Sequence, residues 1–287
     1  LSSFQMEATS RLHPLVSVIL NISPDHMDRH KNFKNYIELK EKVFAQQNRE
    51  DFLILNQDDP NTRDMGKDCP AERVLFSTQT ELGNGVFLRG NMIIARIQNN
   101  EQEIISLDEL SKGIRWQVES ILPSIAAALL LGVSKEIVQQ TLKNFVGLEH
   151  RLEWVRTLNG IDFVNDSKGT NVGSVCKSLN TFDRPIILIA GGKDKETDFS
   201  PLKPLMKEKV KHLVLIGETR NKFKGVLNGS FGYEESDSLE EAVCLAKAKA
   251  ERGDVVLLSP ACASFDMFKD YEERGNRFKT IVKNLEG

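Results

Sequence analysis

Leu257-Leu258-Ser259-Pro260-Ala261-Cys262-Ala263-Ser264-Phe265-Asp266-Met267-Phe268, with Tyr271-Glu272-Glu273-Arg274-Gly275 close behind, is the stretch on which the reading of the whole chain turns. The apolar run Val255 to Leu258 stops abruptly in small residues, and an acidic, amphipathic segment follows. This order predicts a buried strand feeding a tight turn into a helix start, where unpaired backbone N–H groups and the helix dipole favour anions. An ordinary strand–turn–helix corner fits the same residues, so the stretch by itself assigns no site.

Working outward, further runs rich in Val, Ile and Leu read as strands: Val16 to Leu20, Phe52 to Leu55, Ile161 to Val164, Ile186 to Ala190 and Leu213 to Ile216. Helical periodicity covers Tyr36 to Gln47, Ile121 to Leu131, Lys135 to Phe145 and Leu239 to Ala250. Short apolar strands alternating with amphipathic helices imply an α/β protein with mostly parallel sheets covered on both faces. Between Val74 and Leu107 the texture changes. There Gly83-Asn84-Gly85 and Arg89-Gly90-Asn91 punctuate the short runs Val86 to Leu88 and Met92 to Ala95, which predicts β-hairpins. A helical segment ends near Gly147-Leu148 and a new strand series begins at Leu152, so two domains are expected, 1–148 and 149–287.

The 287 residues carry a formal net charge of −3, with Lys+Arg and Asp+Glu nearly balanced, which leaves no electrostatic footprint for nucleic acid. No apolar run approaches the ~20 residues of a membrane helix. Cys69, Cys176, Cys244 and Cys262 show neither metal spacing nor disulfide density, which points to a reducing cytoplasm. Leu1 is not an initiator methionine, and the expectation is a chain that continues upstream.

Three further segments carry chemistry. Asn21-Ile22-Ser23-Pro24-Asp25-His26-Met27-Asp28-Arg29-His30 follows a strand, where ligands of parallel sheets bind. Asp25, His26 and Asp28 suit a hard cation or its waters, and Ser23 or Asp25 equally suits a capped turn. Asn165-Asp166-Ser167-Lys168-Gly169-Thr170-Asn171 links a strand to a helix, and Gly191-Gly192-Lys193-Asp194-Lys195 follows another strand. His150 and Arg151 stand at the expected hinge, where a guanidinium suits bidentate phosphate contact or an ordinary surface role.

Taken together these motifs resemble the muramyl ligases of bacterial cell-wall synthesis, in their D-glutamate-adding branch. The resemblance covers essentially the whole chain but only the back two-thirds of the family. It implies a P-loop-type central ligase domain lacking its first part and carrying a β-hairpin insertion, followed by a Rossmann-like amino-acid-binding domain. It also implies a reaction: ATP-dependent joining of D-glutamate to UDP-N-acetylmuramoyl-L-alanine through an acyl phosphate, by a cytoplasmic monomer with small-molecule partners and no nucleic-acid or membrane partner. In that reading His26 and a carbamylated Lys40 hold magnesium, and His26, Lys40, Asp166 and Lys168 are catalytic. Gln117, Arg151, Asp166 and Lys168 contact ATP. Thr170, Lys195, Ser264 and Tyr271 form the D-glutamate pocket, and Ser2 and Gln5 lie near the nucleotide-sugar. Without the resemblance, Lys40 is a solvated helix lysine with Tyr36 one turn before it.

The chain departs from the family pattern in three places. Gly169 replaces the usual Ala, a change expected to loosen the turn. Trp116-Gln117-Val118-Glu119-Ser120 replaces a His-Asn-x-x-Asn motif, leaving Gln117 to meet adenine's edge and Trp116 to stack on it. No Gly-rich loop ending in Gly-Lys-Ser/Thr occurs, so this chain is expected not to turn over alone. The alternative is a non-catalytic relative that retains the amino-acid pocket. A folylpolyglutamate synthase relative shares fold and chemistry, but Asn165 to Asn171 and Ser259 to Phe268 speak against it.

Overall fold

A computed structural model describes residues 1–24, 26–227 and 232–286, without the side chains of Met27, Asp28 and Leu227. The chain separates into two compact units, Leu1–Ser111 with Gln117–Phe145, and Lys112–Trp116 with Val146–Gly287.

The first unit runs α1 (Ser3–Glu7), β1 (Val16–Ile19), α2 (Met27–His30), α3 (Phe33–Glu41), β2 (Phe52–Asn56), β3 (Glu72–Ser77), β4 (Gly85–Arg89), β5 (Met92–Ile97), β6 (Asn100–Ser106), α4 (Val118–Leu130) and α5 (Lys135–Asn144). Its strands lie in sequence order. β1 to β4 are mutually parallel, and β5 and β6 continue antiparallel. The expected hairpins therefore extend one sheet. The β5–β6 turn places Gln98 and Asn99 at φ 52 and 62, the left-handed pair that matches strand twist in a two-residue hairpin. β1 pairs with β2 alone among the described residues, and Val18 and Leu20 are exposed along it, which leaves an open sheet edge.

The helix expected over Tyr36 to Gln47 is displaced. Asn32 starts it early by accepting from the Asn35 N–H at 2.9 Å. It stops at Glu41, and Gln47 is instead pinned by Nε2 donating to the carbonyls of Pro14 and Phe52, each at 2.9 Å.

The second unit runs β7 (Glu153–Leu158), β8 (Ile161–Asn165), α6 (Val172–Asn180), β9 (Ile186–Gly191), α7 (Leu202–Lys209), β10 (Val210–Ile216), α8 (Arg220–Leu227), β11 (Tyr233–Glu235), α9 (Leu239–Lys249), β12 (Val255–Leu258) and α10 (Tyr271–Asn284). The strand order is β11-β10-β9-β12-β8-β7, parallel except for the β7–β8 hairpin. Alternate residues of one strand enter different cores. Leu188, Leu213 and Leu257 meet Val175, Leu179 and Met206 on one face, while Ile187, Ile189, Val256 and Leu258 meet Ala242, Val243, Phe278 and Val282 on the other. Burial on both faces explains the unbroken apolar strands, because each fully buried Leu or Ile contributes about 1.5–3 kcal/mol.

One sequence expectation is corrected here. Leu258 does not lead by a tight turn into a helix start; the chain from Ser259 to Asp270 is a long crossover before α10. Asp270 caps that helix by accepting from the Glu273 N–H at 2.7 Å, and Glu272 and Glu273 add negative charge to the first turn. The helix start is thus supplied with its own anions, and the expected attraction for a ligand anion is met internally.

Candidate functional site

At the carboxyl ends of the second sheet, the loops after β8, β9 and β12 are stitched together through the backbone. Asp166 N donates to Leu258 O at 2.8 Å, Ala261 N to Gly169 O at 2.8 Å, Gly191 N to Pro260 O at 2.9 Å and Lys193 N to Ala263 O at 2.9 Å. The approach is close enough that a Cβ on Gly192, whose φ is 145°, would stand 2.3 Å from Ala263 O. Ordinary side chains do not fit there.

Asp166 points inward. Its residue is 4% exposed; Oδ2 accepts from Ser178 Oγ and Ser259 Oγ, both at 2.7 Å, and Oδ1 from Leu152 N at 3.2 Å. Burial pushes its carboxyl above the usual range, against those hydrogen bonds and the nearby Arg151 charge. Asp166 thereby ties α6, the β12 loop and the start of the unit to the β8 loop. Gly169 turns out to tighten this corner: an added Cβ would lie 2.6 Å from Asp166 Oδ2 and 2.8 Å from Ser259 Oγ. The looser turn expected from glycine is not what forms.

Arg274 has a structural role that the sequence reading missed. It is 1% exposed, and its guanidinium donates to Ser167 Oγ (2.9 Å), Ser167 O (2.8 Å) and Cys262 O (3.2 Å). Burial lowers its pKa to about 10, so it stays charged at neutral pH. A planar fork with several fixed donors is the group that can join two loops in this way. The signal was present in the sequence, since Arg274, Phe278 and Val282 share one helical face and the latter two are core residues.

Among the residues expected to bind substrate, Lys168 and Tyr271 meet directly: Nζ lies 2.9 Å from the phenolic oxygen and 4.5 Å from the ring centroid. Thr170 is half-buried beside Asn171, and it is Asn171 that caps α6, by accepting from the Ser174 N–H at 2.8 Å. Ser264 is 2% exposed; its carbonyl accepts from Met267 N and Phe268 N, while its hydroxyl has no partner among the described residues. Lys195 is exposed on the β9 loop, whereas its neighbours are engaged, Lys193 with Glu218 at 2.8 Å and Asp194 with Lys222 at 3.1 Å. Among the described residues, Thr170, Lys195 and Ser264 make no hydrogen bond to one another.

His150 is buried at the start of the unit with φ 65°, its Nδ1 3.0 Å from Asn165 Nδ2, and its carbonyl accepts from Lys168 N at 3.0 Å. Burial, then the Lys279 charge, lowers its pKa. Arg151 beside it is exposed. The strap Lys112–Trp116 belongs to this unit, and Trp116 packs on its core with its ring 5.2 Å from Phe182. The two rings are tilted by 59°, and Trp116 remains half-buried. Gln117 begins α4 in the first unit.

In the first unit, Ser2 and Gln5 cap α1 reciprocally: Ser2 N donates to Gln5 Oε1 at 2.8 Å and Gln5 N to Ser2 Oγ at 3.2 Å. His26 is exposed, with φ 56° and its ring centroid 4.9 Å from that of Phe4. Lys40 Nζ lies 3.4 Å from Leu1 O and 5.6 Å from the Tyr36 ring centroid. Between them His30, buried, bonds Ser3 Oγ at 3.0 Å. The loop leading to His26 is held from the end of β2 and the segment after it: Asn56 Nδ2 donates to Leu20 O, Asn61 Nδ2 to Ile22 O, and Ile22 N to Asp59 Oδ2 at 2.8 Å. Asp25 lies outside the described residues. No three His, Cys, Asp or Glu side chains converge among the described residues, and the Lys40 ammonium is itself a cation. The Asp28 side chain, like Asp25, is outside the described residues.

Residues 1–123 match the Mur ligase middle domain, and residues 150–262 match the Mur ligase, glutamate ligase domain. A UDP-N-acetylmuramoylalanine--D-glutamate ligase of Geotalea daltonii is 42% identical over 287 residues, which is 100% of this chain and 63% of the relative. The chain thus spans just under two-thirds of the length of such relatives. In fold it is similar to a pseudomurein peptide ligase type C from Methanothermus fervidus (TM-score 0.67, 17% identity, 95% of this chain and 64% of that chain). It is also similar to a MurF ligase from Thermotoga maritima in complex with ADP (TM-score 0.64, 15% identity, 95% of this chain and 63% of that chain).

Proposed function

The chain belongs to the Mur ligase family, and we propose that it forms the central and C-terminal parts of an ATP-dependent ligase joining D-glutamate to UDP-N-acetylmuramoyl-L-alanine. The observation that carries this reading is the 42% identity over all 287 residues with a D-glutamate ligase. The arrangement of Thr170, Lys168 and Ser264 on adjoining loops at the carboxyl ends of one parallel sheet agrees with it.

In the proposed reaction, ATP phosphorylates the muramoyl-alanine carboxylate, the D-glutamate amine attacks the acyl carbon, and inorganic phosphate leaves as the amide forms. Lys195, Thr170 and Ser264 hold the carboxylates of the incoming amino acid, the Ser264 hydroxyl being free for such a bond. Lys168 and Arg151 offer positive charge to the phosphate being released. Asp166, with its oxygens already engaged, acts by holding the loop that carries Lys168 and Thr170. A carbamylated Lys40, its ammonium exchanged for anionic oxygens, and His26 would hold a magnesium ion, which would supply positive charge to offset that of the phosphates. Mass spectrometry of bicarbonate-treated protein, read at Lys40, tests that step. A nucleotide-linked substrate places the reaction in the cytoplasm, and a monomer suffices for it. No helix among the described residues is long and apolar enough to cross a membrane.

The test is calorimetry of this chain with D- and L-glutamate. Saturable, D-selective binding, lost in Lys195→Ala and Ser264→Ala variants that melt normally, supports the pocket. Equal affinity for both enantiomers refutes it. ATP with both substrates should release no phosphate from this chain alone, because its sequence contains no phosphate loop. The second reading, a non-catalytic D-glutamate-binding relative, is favoured by Trp116-Gln117-Val118-Glu119-Ser120 standing where the family has His-Asn-x-x-Asn. It predicts retained D-glutamate binding with no binding of ADP.

A further inference from the structure

We propose that Tyr271 is a positioning residue for Lys168 rather than a wall of the amino-acid pocket; this rests on the reading of Lys168 as the phosphate-facing lysine. The phenolic oxygen accepts from Lys168 Nζ at 2.9 Å and donates to Glu272 Oε1 at 3.1 Å, so both of its hydrogen-bonding functions are taken. The aromatic face lies under the same ammonium, 4.5 Å from its centroid. A lysine ammonium has three donors, and one bond to Tyr271 leaves the others for an anion. On its own, an exposed lysine samples many rotamers. Here a hydroxyl and a ring fix it in one.

Both partners are anchored from behind. Ser167 Oγ donates to Tyr271 O at 2.8 Å, and Arg274 grips Ser167 through both its hydroxyl and its carbonyl. The Lys168 N–H is bound to His150 O, and the His150 ring meets Tyr271 edge-on at 6.0 Å. The first turn of α10 and the β8 loop therefore move as one piece, and the hydroxyl of Tyr271 is the part that reaches the functional cation. Phenylalanine keeps the ring and loses that acceptor, so the two contributions separate by substitution.

Nuclear magnetic resonance of this chain, with side-chain signals of Lys168 assigned, gives a readout that needs no ligand. The Tyr271 ring current should shift the Lys168 ε-methylene protons upfield; Tyr271→Phe should reduce that shift, and Tyr271→Leu should abolish it. Free-lysine positions in the unsubstituted chain, or no change in Tyr271→Phe, overturn the proposal. Titration with inorganic phosphate, followed at Lys168 and the Ser167 amide, gives the second readout. Tyr271→Phe should weaken binding about threefold and Tyr271→Leu about tenfold, the scale of a charge-assisted hydrogen bond with a cation–π contact. Neither should matter in a Lys168→Met background; an equal loss there would mean that Tyr271 touches the anion itself and would overturn the proposal. Absence of phosphate binding with the ring-current shift intact refutes the phosphate role of Lys168 and upholds its positioning by Tyr271.

Discussion

The His150 ring lies so close to Gly275 that a Cβ built on that glycine would stand 2.2 Å from Nδ1 and 2.9 Å from Cε1. Gly275 is in the interior of α10, where alanine is intrinsically better by about 1 kcal/mol, so the histidine explains why glycine stands there. Asn165, 3.0 Å from Nδ1, leaves the ring little room to slide.

Gly275→Ala should therefore destabilise the chain by about 1–3 kcal/mol, overpacking outweighing the helix propensity. Chemical denaturation measures it. A stabilised variant would show that His150 swings out without loss.

The lowered His150 pKa makes acid destabilising. The folded state binds this proton less readily than the unfolded chain, whose value is near 6.5, so the contribution is complete above that value and is lost as pH falls below it. Melting temperatures of the unsubstituted chain should fall more steeply from about pH 7 to about pH 5 than those of His150→Asn. Asparagine is chosen because it tolerates φ 65°. Parallel profiles would remove His150 as the titrating group.

For Asp166 the sign is opposite. Its raised pKa means that the folded state holds the proton more tightly, so its contribution is complete below the ordinary value of 3.8 and is lost as pH rises through the raised folded value. Asp166→Asn should gain stability relative to the parent chain as pH rises above about 4. A constant difference across that range would place the carboxylate in contact with water.

Gly169→Ala tests the same corner by sterics. The methyl group must expel either the Asp166 carboxylate or the Ser259 hydroxyl, with loss of a buried hydrogen bond and about 1–3 kcal/mol. An unchanged melting temperature would show that the inward Asp166 arrangement is not required.

Arg274→Lys keeps charge but cannot bridge Ser167 and Cys262 with a planar fork, leaving buried carbonyls unpaired at about 1–3 kcal/mol each. The measured loss should approach that of Arg274→Met. A lysine variant as stable as the parent would mean that charge alone matters.

Periodicity made most of the framework legible. Strands at Val16, Phe52, Ile161, Ile186 and Val255 begin where the apolar runs begin, because burial on both faces demands unbroken hydrophobic residues. Helices α4, α5 and α9 follow their amphipathic spacing. β3 was only half visible, and β7 and α10 were foreseen only as a strand series from Leu152 and a helix start, since Glu153, Arg156 and Arg274 interrupt the apolar pattern with side chains whose partners lie far along the chain. Arg156 Nη1, for instance, is held by the carbonyls of Lys283 and Leu285.

By itself the sequence determined the α/β class, the membership of a ligase family and the loops that carry Lys168, Lys195 and Ser264, because local periodicity and short motifs are written in adjacent residues. Only the tertiary structure decided what those residues touch. Asp166 turns inward to Ser178 and Ser259, Trp116 closes a core against Phe182, and Tyr271 reaches Lys168. Each of these contacts joins positions far apart in the chain, and their direction depends on sheet order and backbone approach, which no local pattern encodes.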